Sequence, residues 1–284
     1  MSSERQVGVV GAGTMGTGIA QCLAQAGVPV VLVDTDPEAI ARARRGLRSA
    51  LRLSVLLGRG SGAANLDEIV GRIRWSEQLD ALSECTFVIE SVTERIELKA
   101  EIFAELDRVC PADTVFASGT SAIPITNLAA DTTRPDRMLG LHFMNPAPLT
   151  EVVEVVSTTE TSPDSLHRAL SLLDTLGKKG IVVGDGPGFV INRVLMLCIA
   201  EAGAVLDTGT DPETVDALFE GCLGHRMGPL RTADLIGLDN VLDTLIVLRT
   251  TTGDDRYRIP SALTELVGAG HHGRKTGKGF HEYP

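Results

Sequence analysis

Nothing limits the fold of this 284-residue chain more than the run VGVVGAGTMGTGIAQCLAQAGVPVVLVDTD near its start. A β-branched segment, Val7 to Val10, stops at a glycine. An amphipathic helical pattern follows, and a second apolar segment, Val30 to Val33, ends in Asp34. Strand, glycine turn, helix and strand form a βαβ unit with parallel strands and a right-handed crossover. The turn carries Gly11, Gly13 and Gly16 as G-x-G-x-x-G. The first glycine of such a turn permits the bend, the second lets a pyrophosphate approach the backbone, and the third lets the helix pack on the strand. The helix start, Thr14 and Met15 included, offers N–H groups and a positive dipole end to phosphate. A glycine turn alone is a weak sign, but here an acid closes the second strand 18 residues after Gly16. A carboxylate there accepts hydrogen bonds from ribose hydroxyls and repels a 2′-phosphate, so Asp34 points to NAD over NADP.

The chain is long enough for two domains, and its 43% hydrophobic and 22% charged residues are ordinary for a globular protein. A formal net charge of −11 argues against nucleic-acid binding, because phosphate backbones are drawn to basic faces. The polar start MSSERQ does not read as a signal peptide, and no apolar run reaches the roughly 20 residues that span a bilayer. Five scattered cysteines with no C-x-x-C pair predict reduced thiols, no zinc site and no other metal centre, in a cytoplasmic chain. The fold class expected is an α/β dinucleotide-binding domain over residues 1–185, then an all-α domain over 186–284. The boundary is set near Asp185 by Gly184, Gly186, Pro187 and Gly188.

Past Asp34 the chain reads as a helix, with Asp36 as its cap and Pro37 at its first position. From Ala39 to Leu66 no acid occurs, while Arg42, Arg44, Arg45, Arg48, Arg52 and Arg59 do. Arg44, Arg48 and Arg52 recur at every fourth residue and make one stripe, with Leu47 and Leu51 on another face. The stripe is either a solvated helix face or a landing place for an acidic or phosphorylated partner.

Three further strand patterns deliver polar residues to what becomes the ligand-binding edge of an open α/β sheet. Glu94 and Lys99 follow a strand through Phe87 to Ile89, and the turn Ser118-Gly119-Thr120-Ser121 follows the next. The strand MLGLHF then brings His142. A histidine in an apolar strand is often structural. Twelve residues on, however, LTEVVEVV embeds Glu154 between valines, and a buried carboxylate needs a partner. A His–Glu pair fixes the histidine tautomer and stabilises the imidazolium formed when the ring takes a proton, as alcohol oxidation by NAD requires. Asn192 lies in the first turn of an apolar helix, either as a local hydrogen-bonding residue or as an amide aimed at a ligand.

Taken together these motifs resemble the 3-hydroxyacyl-CoA dehydrogenase family, especially its short bacterial 3-hydroxybutyryl-CoA dehydrogenases. The resemblance rests on GAGTMGTGIAQ, VIESVTERIELK, HFMNPAPLTEVVEVV, GPGFVINRVL, RMGPLRTADLIGLD and GRKTGKGF, spread along nearly the whole chain. It implies NAD-linked interconversion of L-3-hydroxyacyl and 3-ketoacyl thioesters by a homodimer paired through the helical domain. It makes His142 the base, Glu154 its orienting partner, Ser121 a hydrogen-bonder of the reacting oxygen and Asn192 a holder of the thioester or that oxygen. Glu94, Lys99 and Asn145 then join the cofactor set. Two departures stand out. Gly119 replaces the family's asparagine, opening space and deleting a donor beside the substrate. Arginines and leucines replace the serine and lysine expected near the CoA nucleotide. Both departures suit an alternative substrate, a hydroxyacyl group on an acyl carrier protein serving polyketide extender units, with the Arg44, Arg48 and Arg52 stripe as docking face. A non-catalytic, crystallin-like role is the third expectation, opposed by the joint presence of Ser121, His142, Glu154 and Asn192.

Overall fold

The computed structural model describes residues 6–56, 66–130 and 132–284. The chain divides into two compact units, one ending at Asp185 and the other starting at Gly186. The first is built on eight strands: β1 (Val7–Val10), β2 (Val30–Val33), β3 (Ile73–Ser76), β4 (Phe87–Glu90), β5 (Val115–Ser118), β6 (Met138–Phe143), β7 (Val152–Ser157) and β8 (Lys179–Gly184). They form one sheet in the order β3-β2-β1-β4-β5-β6-β7-β8. The first six strands are parallel, β7 is antiparallel to β6, and β8 is parallel to β7. All six parallel strands therefore point their carboxyl ends to one edge, where open α/β sheets bind ligands.

Among the described residues, six helices accompany this sheet: α1 (Thr14–Gln25), α2 (Pro37–Leu56), α3 (Leu66–Gly71), α4 (Ile96–Val109), α5 (Ile125–Ala129) and α6 (Pro163–Thr175). Strands β1, β2, β4 and β5 are buried along their whole length, which explains their unbroken apolar sequences. Strands β3 and β8 carry no such pattern, because they are the two edges of the sheet and stay half-exposed. Asp36 caps α2 by accepting the Glu38 amide at 2.8 Å. The arginine-rich face of α2 is exposed, whereas Leu47 and Leu51 are each 1% exposed and pack in the core.

The second unit consists of α7 (Ile191–Leu206), α8 (Pro212–Leu223), α9 (Pro229–Ile236), α10 (Leu238–Thr252), α11 (Ser261–Gly268) and a tail with two isolated β-bridges. Met196, Ile199, Leu238, Leu245 and Tyr257 are in its core. Two buried aspartates pin the tail. Asp216 accepts the Leu230 and Arg231 amides at the start of α9 and holds His281 Nε2 at 2.7 Å. Asp234 accepts the Phe280 and His281 amides and the Tyr283 hydroxyl, all at 2.9 Å. Burial and the Asp234 carboxylate push the Tyr283 phenol up to about 12, so it stays a donor. No helix among the described residues is long and apolar enough to cross a membrane.

Candidate active site

The glycine turn leaves β1 with the Gly11 amide bonded to the Val33 carbonyl at 2.7 Å. Gly11 has φ +102°, and a Cβ there would stand 2.6 Å from the Ser91 carbonyl oxygen. A Cβ on Gly16 would fall 1.9 Å from the Gly11 oxygen, so α1 can lie on β1 only with glycine there. Gly13 differs: a Cβ would meet nothing within 4 Å. It is the N-cap of α1, and no side chain caps that helix, so its first-turn amides remain available to an anion. Asp34 is fixed by the Ala12 amide at 2.7 Å and the Asp36 amide at 2.9 Å. Above these lies a cavity of about 930 Å³. Gly13, Thr14, Asp34, Arg42 and Asn145 line it, with an apolar side formed by residues such as Leu98. An open glycine, uncapped amides, an oriented carboxylate and an apolar wall fit NAD. Met15 packs its side chain against the core, which leaves its amide, in the uncapped first turn of α1, as the group it offers.

At the end of β4, Glu90 is fully buried and unnoticed by the sequence reading. It accepts Lys99 Nζ at 2.7 Å, the Val92 amide at 2.7 Å and the Ser118 hydroxyl at 2.6 Å. Lys99, 0% exposed, also reaches Glu94 at 3.4 Å. Its charge is thus shared between two carboxylates. Glu94 in turn accepts the Ser121 amide at 2.8 Å, the Ala122 amide at 3.1 Å and the Thr120 hydroxyl. Two glutamates sharing one lysine therefore shape the turn that carries Ser121.

Gly119 is not the opening its sequence implies. Its amide bonds the Glu90 carbonyl at 2.7 Å, and a Cβ there would stand 2.9 Å from that oxygen. Glycine is needed here for close approach of two chain segments, and an asparagine requires the turn to shift.

Ser118 pairs with Gly140 across the parallel strands β5 and β6, so Ser121 and His142 both lie beyond that pair at the same sheet edge. His142 and Glu154 are direct partners across β6 and β7, which puts their side chains on one face. His142 Nδ1 stands 2.6 Å from Glu154 Oε2, and the residues are 4% and 6% exposed. With the carboxylate ionised, the proton sits on Nδ1 and Nε2 becomes the basic nitrogen. The loop after β6 is held from below by Lys178, itself 6% exposed, whose ammonium donates to the Ala147 and Thr150 carbonyls at 2.7 and 2.5 Å. Lys178 also escaped the sequence reading, because a lysine beside another lysine ahead of a strand looks solvated. Asn192 belongs to the second unit, as the second residue of α7, and is buried there.

The arginine stripe is partly occupied. The Arg44 guanidinium lies 5.3 Å from the Trp75 ring centre and Arg48 is 3.7 Å from Asp67. Arg52 is exposed, and Arg59 lies outside the described residues.

A parallel α/β sheet with this turn, this aspartate and this cavity defines a dinucleotide-binding protein. The chain belongs to the 3-hydroxyacyl-CoA dehydrogenase family: residues 6–186 match the family's NAD binding domain and residues 188–283 its C-terminal domain. It is 40% identical over 280 residues to a probable 3-hydroxybutyryl-CoA dehydrogenase of Bacillus subtilis, covering 98% of this chain and 97% of that one. A 3-hydroxybutyryl-CoA dehydrogenase of Bradyrhizobium diazoefficiens is also 40% identical over 280 residues, covering 98% and 95% of the two chains. The crystal structure of an (S)-3-hydroxybutyryl-CoA dehydrogenase from Ralstonia eutropha superposes with a TM-score of 0.91 at 40% identity, covering 99% of this chain and all of that one.

Proposed function

We propose that this protein is an NAD-dependent dehydrogenase interconverting short L-3-hydroxyacyl and 3-ketoacyl thioesters, with 3-hydroxybutyryl-CoA as the type of substrate. The buried His142–Glu154 pair carries this reading, beside a cavity that suits the cofactor. Relatives at about 40% identity named 3-hydroxybutyryl-CoA dehydrogenase agree with it. NAD bound along the glycine turn and Asp34 supplies the hydride acceptor. His142 Nε2 takes the substrate hydroxyl proton, and Glu154 stabilises the imidazolium so formed. In the reverse direction the same imidazolium returns the proton to the reduced carbonyl oxygen. Ser121, in the turn set by Glu94, hydrogen-bonds the reacting oxygen, and Asn192 gives its amide to the thioester or that oxygen.

Among thioester carriers, CoA is favoured over an acyl carrier protein, because the relatives at about 40% identity are named for a CoA thioester. A cytoplasmic homodimer is part of the same proposal. Burial pushes the thiols of Cys22, Cys85 and Cys110 up to about 11, 12 and 11, which keeps them protonated and weakly reactive. The test is NADH-dependent reduction of acetoacetyl-CoA compared with the same acyl group on an acyl carrier protein. Low-KM turnover of the CoA thioester supports the reading. Turnover confined to the carrier-bound thioester would replace it, and turnover of neither would remove it.

A further inference from the structure

The cavity above the glycine turn has two charged side chains among its described lining residues, Asp34 and Arg42. The Arg42 guanidinium folds back along the first turns of α2 and meets Asp36 Oδ2 at 3.2 Å. Asp36 cannot easily turn away, because its other oxygen accepts the Glu38 amide and caps the helix. Its own amide is bonded to Asp34 Oδ1 at 2.9 Å, so both carboxylates belong to one turn after β2. Asp34, Asp36 and Arg42 together carry two negative charges and one positive charge, a sum of −1, at the Asp34 end of the cavity.

From this arrangement we infer that the Asp36–Arg42 pair is a second determinant of cofactor choice, acting beside Asp34. The inference rests on the NAD reading proposed above. A 2′-phosphate on the adenosine ribose needs a cation, and arginine is the side chain that serves phosphate best. Arg42 is such a cation, already beside the cavity and within reach of the turn that holds Asp34. Asp36 neutralises it, and Asp34 repels the phosphate directly. The protein thus carries a latent 2′-phosphate site held shut by two carboxylates. Removing Asp34 alone brings the local charge to zero; removing both leaves Arg42 unopposed at +1. Exposed ion pairs hold weakly, so Arg42 needs no large rearrangement to change partners.

The test is direct binding of NADH and NADPH by fluorescence titration, which needs no thioester substrate. The variants are Asp34→Asn, Asp36→Ser, the double variant, and the double variant with Arg42→Gln; serine keeps a helix cap at position 36. Asp36→Ser added to Asp34→Asn should tighten NADPH binding about tenfold, and about a hundredfold relative to the unsubstituted protein. Arg42→Gln should erase the step due to Asp36→Ser, and raised salt should shrink it. A gain that survives Arg42→Gln overturns the inference, as does no gain from Asp36→Ser in the Asp34→Asn background. Melting curves for each variant separate lost affinity from lost fold. An unsubstituted protein that binds neither nucleotide overturns the NAD reading itself, a failure visible before any substitution is made.

Discussion

A histidine inside a buried strand can act as a base only if its protonated form is tolerated there, and Glu154 at 2.6 Å provides that tolerance. His142→Gln removes the proton acceptor but leaves the glycine turn untouched. Turnover of acetoacetyl-CoA should fall roughly a thousandfold while NADH still binds. Glu154→Gln should lower kcat by roughly a hundredfold or more, since an amide can fix the ring but cannot balance its charge. Either variant retaining full kcat would contradict the assigned roles. The glycines divide in a similar way. Gly13→Ala meets open space and should spare the melting temperature while weakening NADH binding, whereas Gly16→Ala drives a methyl into the Gly11 carbonyl and should lower both. Thermal melts with NADH titrations distinguish them, and equal loss of stability in the two would refute the division. His142 and Glu154 were legible in sequence because each interrupts an apolar strand at a place where an unpaired polar group is expensive, and Asp34 because it ends the strand that follows the glycine turn. Glu90 was not, because its partners Lys99 and Ser118 are 9 and 28 residues away and come together only when β4, α4 and β5 assemble.

Elements were legible where burial imposes a continuous pattern. The fully buried strands β1, β2, β4 and β5 could be read from their β-branched runs, but the edges β3 and β8 could not, since half-exposed residues carry no strict alternation. How helices are tied to strands was also hidden. Asp107, near the end of α4, accepts the Thr133 amide at 2.8 Å and its hydroxyl at 2.7 Å, and it pairs with the Arg134 guanidinium. This clamp fixes the segment leading into β6, the strand that carries His142. Burial raises the Asp107 carboxyl, but the Thr133 hydrogen bonds and Arg134 outweigh it and hold the group below its ordinary 3.8. A carboxylate depressed in the folded state stabilises the fold above its unfolded value, and that stability is lost as pH falls through the lower folded value. Asp107→Asn should therefore cost roughly 2 kcal/mol at neutral pH. In urea melts its deficit should narrow as pH drops below 3.8. A deficit that widens on acidification would show that the clamp does not depend on the ionised carboxylate.

At the scale of the whole molecule, sequence motifs could name both units but not the surfaces they leave uncovered, because exposure is settled only by packing. In the second unit, Val194, Leu218 and Leu223 remain 64%, 56% and 63% exposed. For the proposed homodimer, these α8 leucines, with Leu235 of α9 and Ile246 of α10 also exposed, supply apolar surface that a second copy would cover. Charge opposes that contact: each chain carries a formal −11, so two copies repel at long range. An apolar interface between like-charged copies should strengthen as salt is added, the opposite of an interface held by ion pairs. Leu218→Glu with Leu223→Glu removes apolar contact worth about 1.5–3 kcal/mol per fully covered leucine. It also adds two negative charges to each copy. Sedimentation velocity should then give a dimer for the unsubstituted protein, tighter at high salt, and a monomer for the double variant. The second unit's cooperative melt should persist in that variant, since neither leucine is in its core. A monomeric unsubstituted protein, or a dimer indifferent to both substitutions, would remove the helical unit from the proposed pairing.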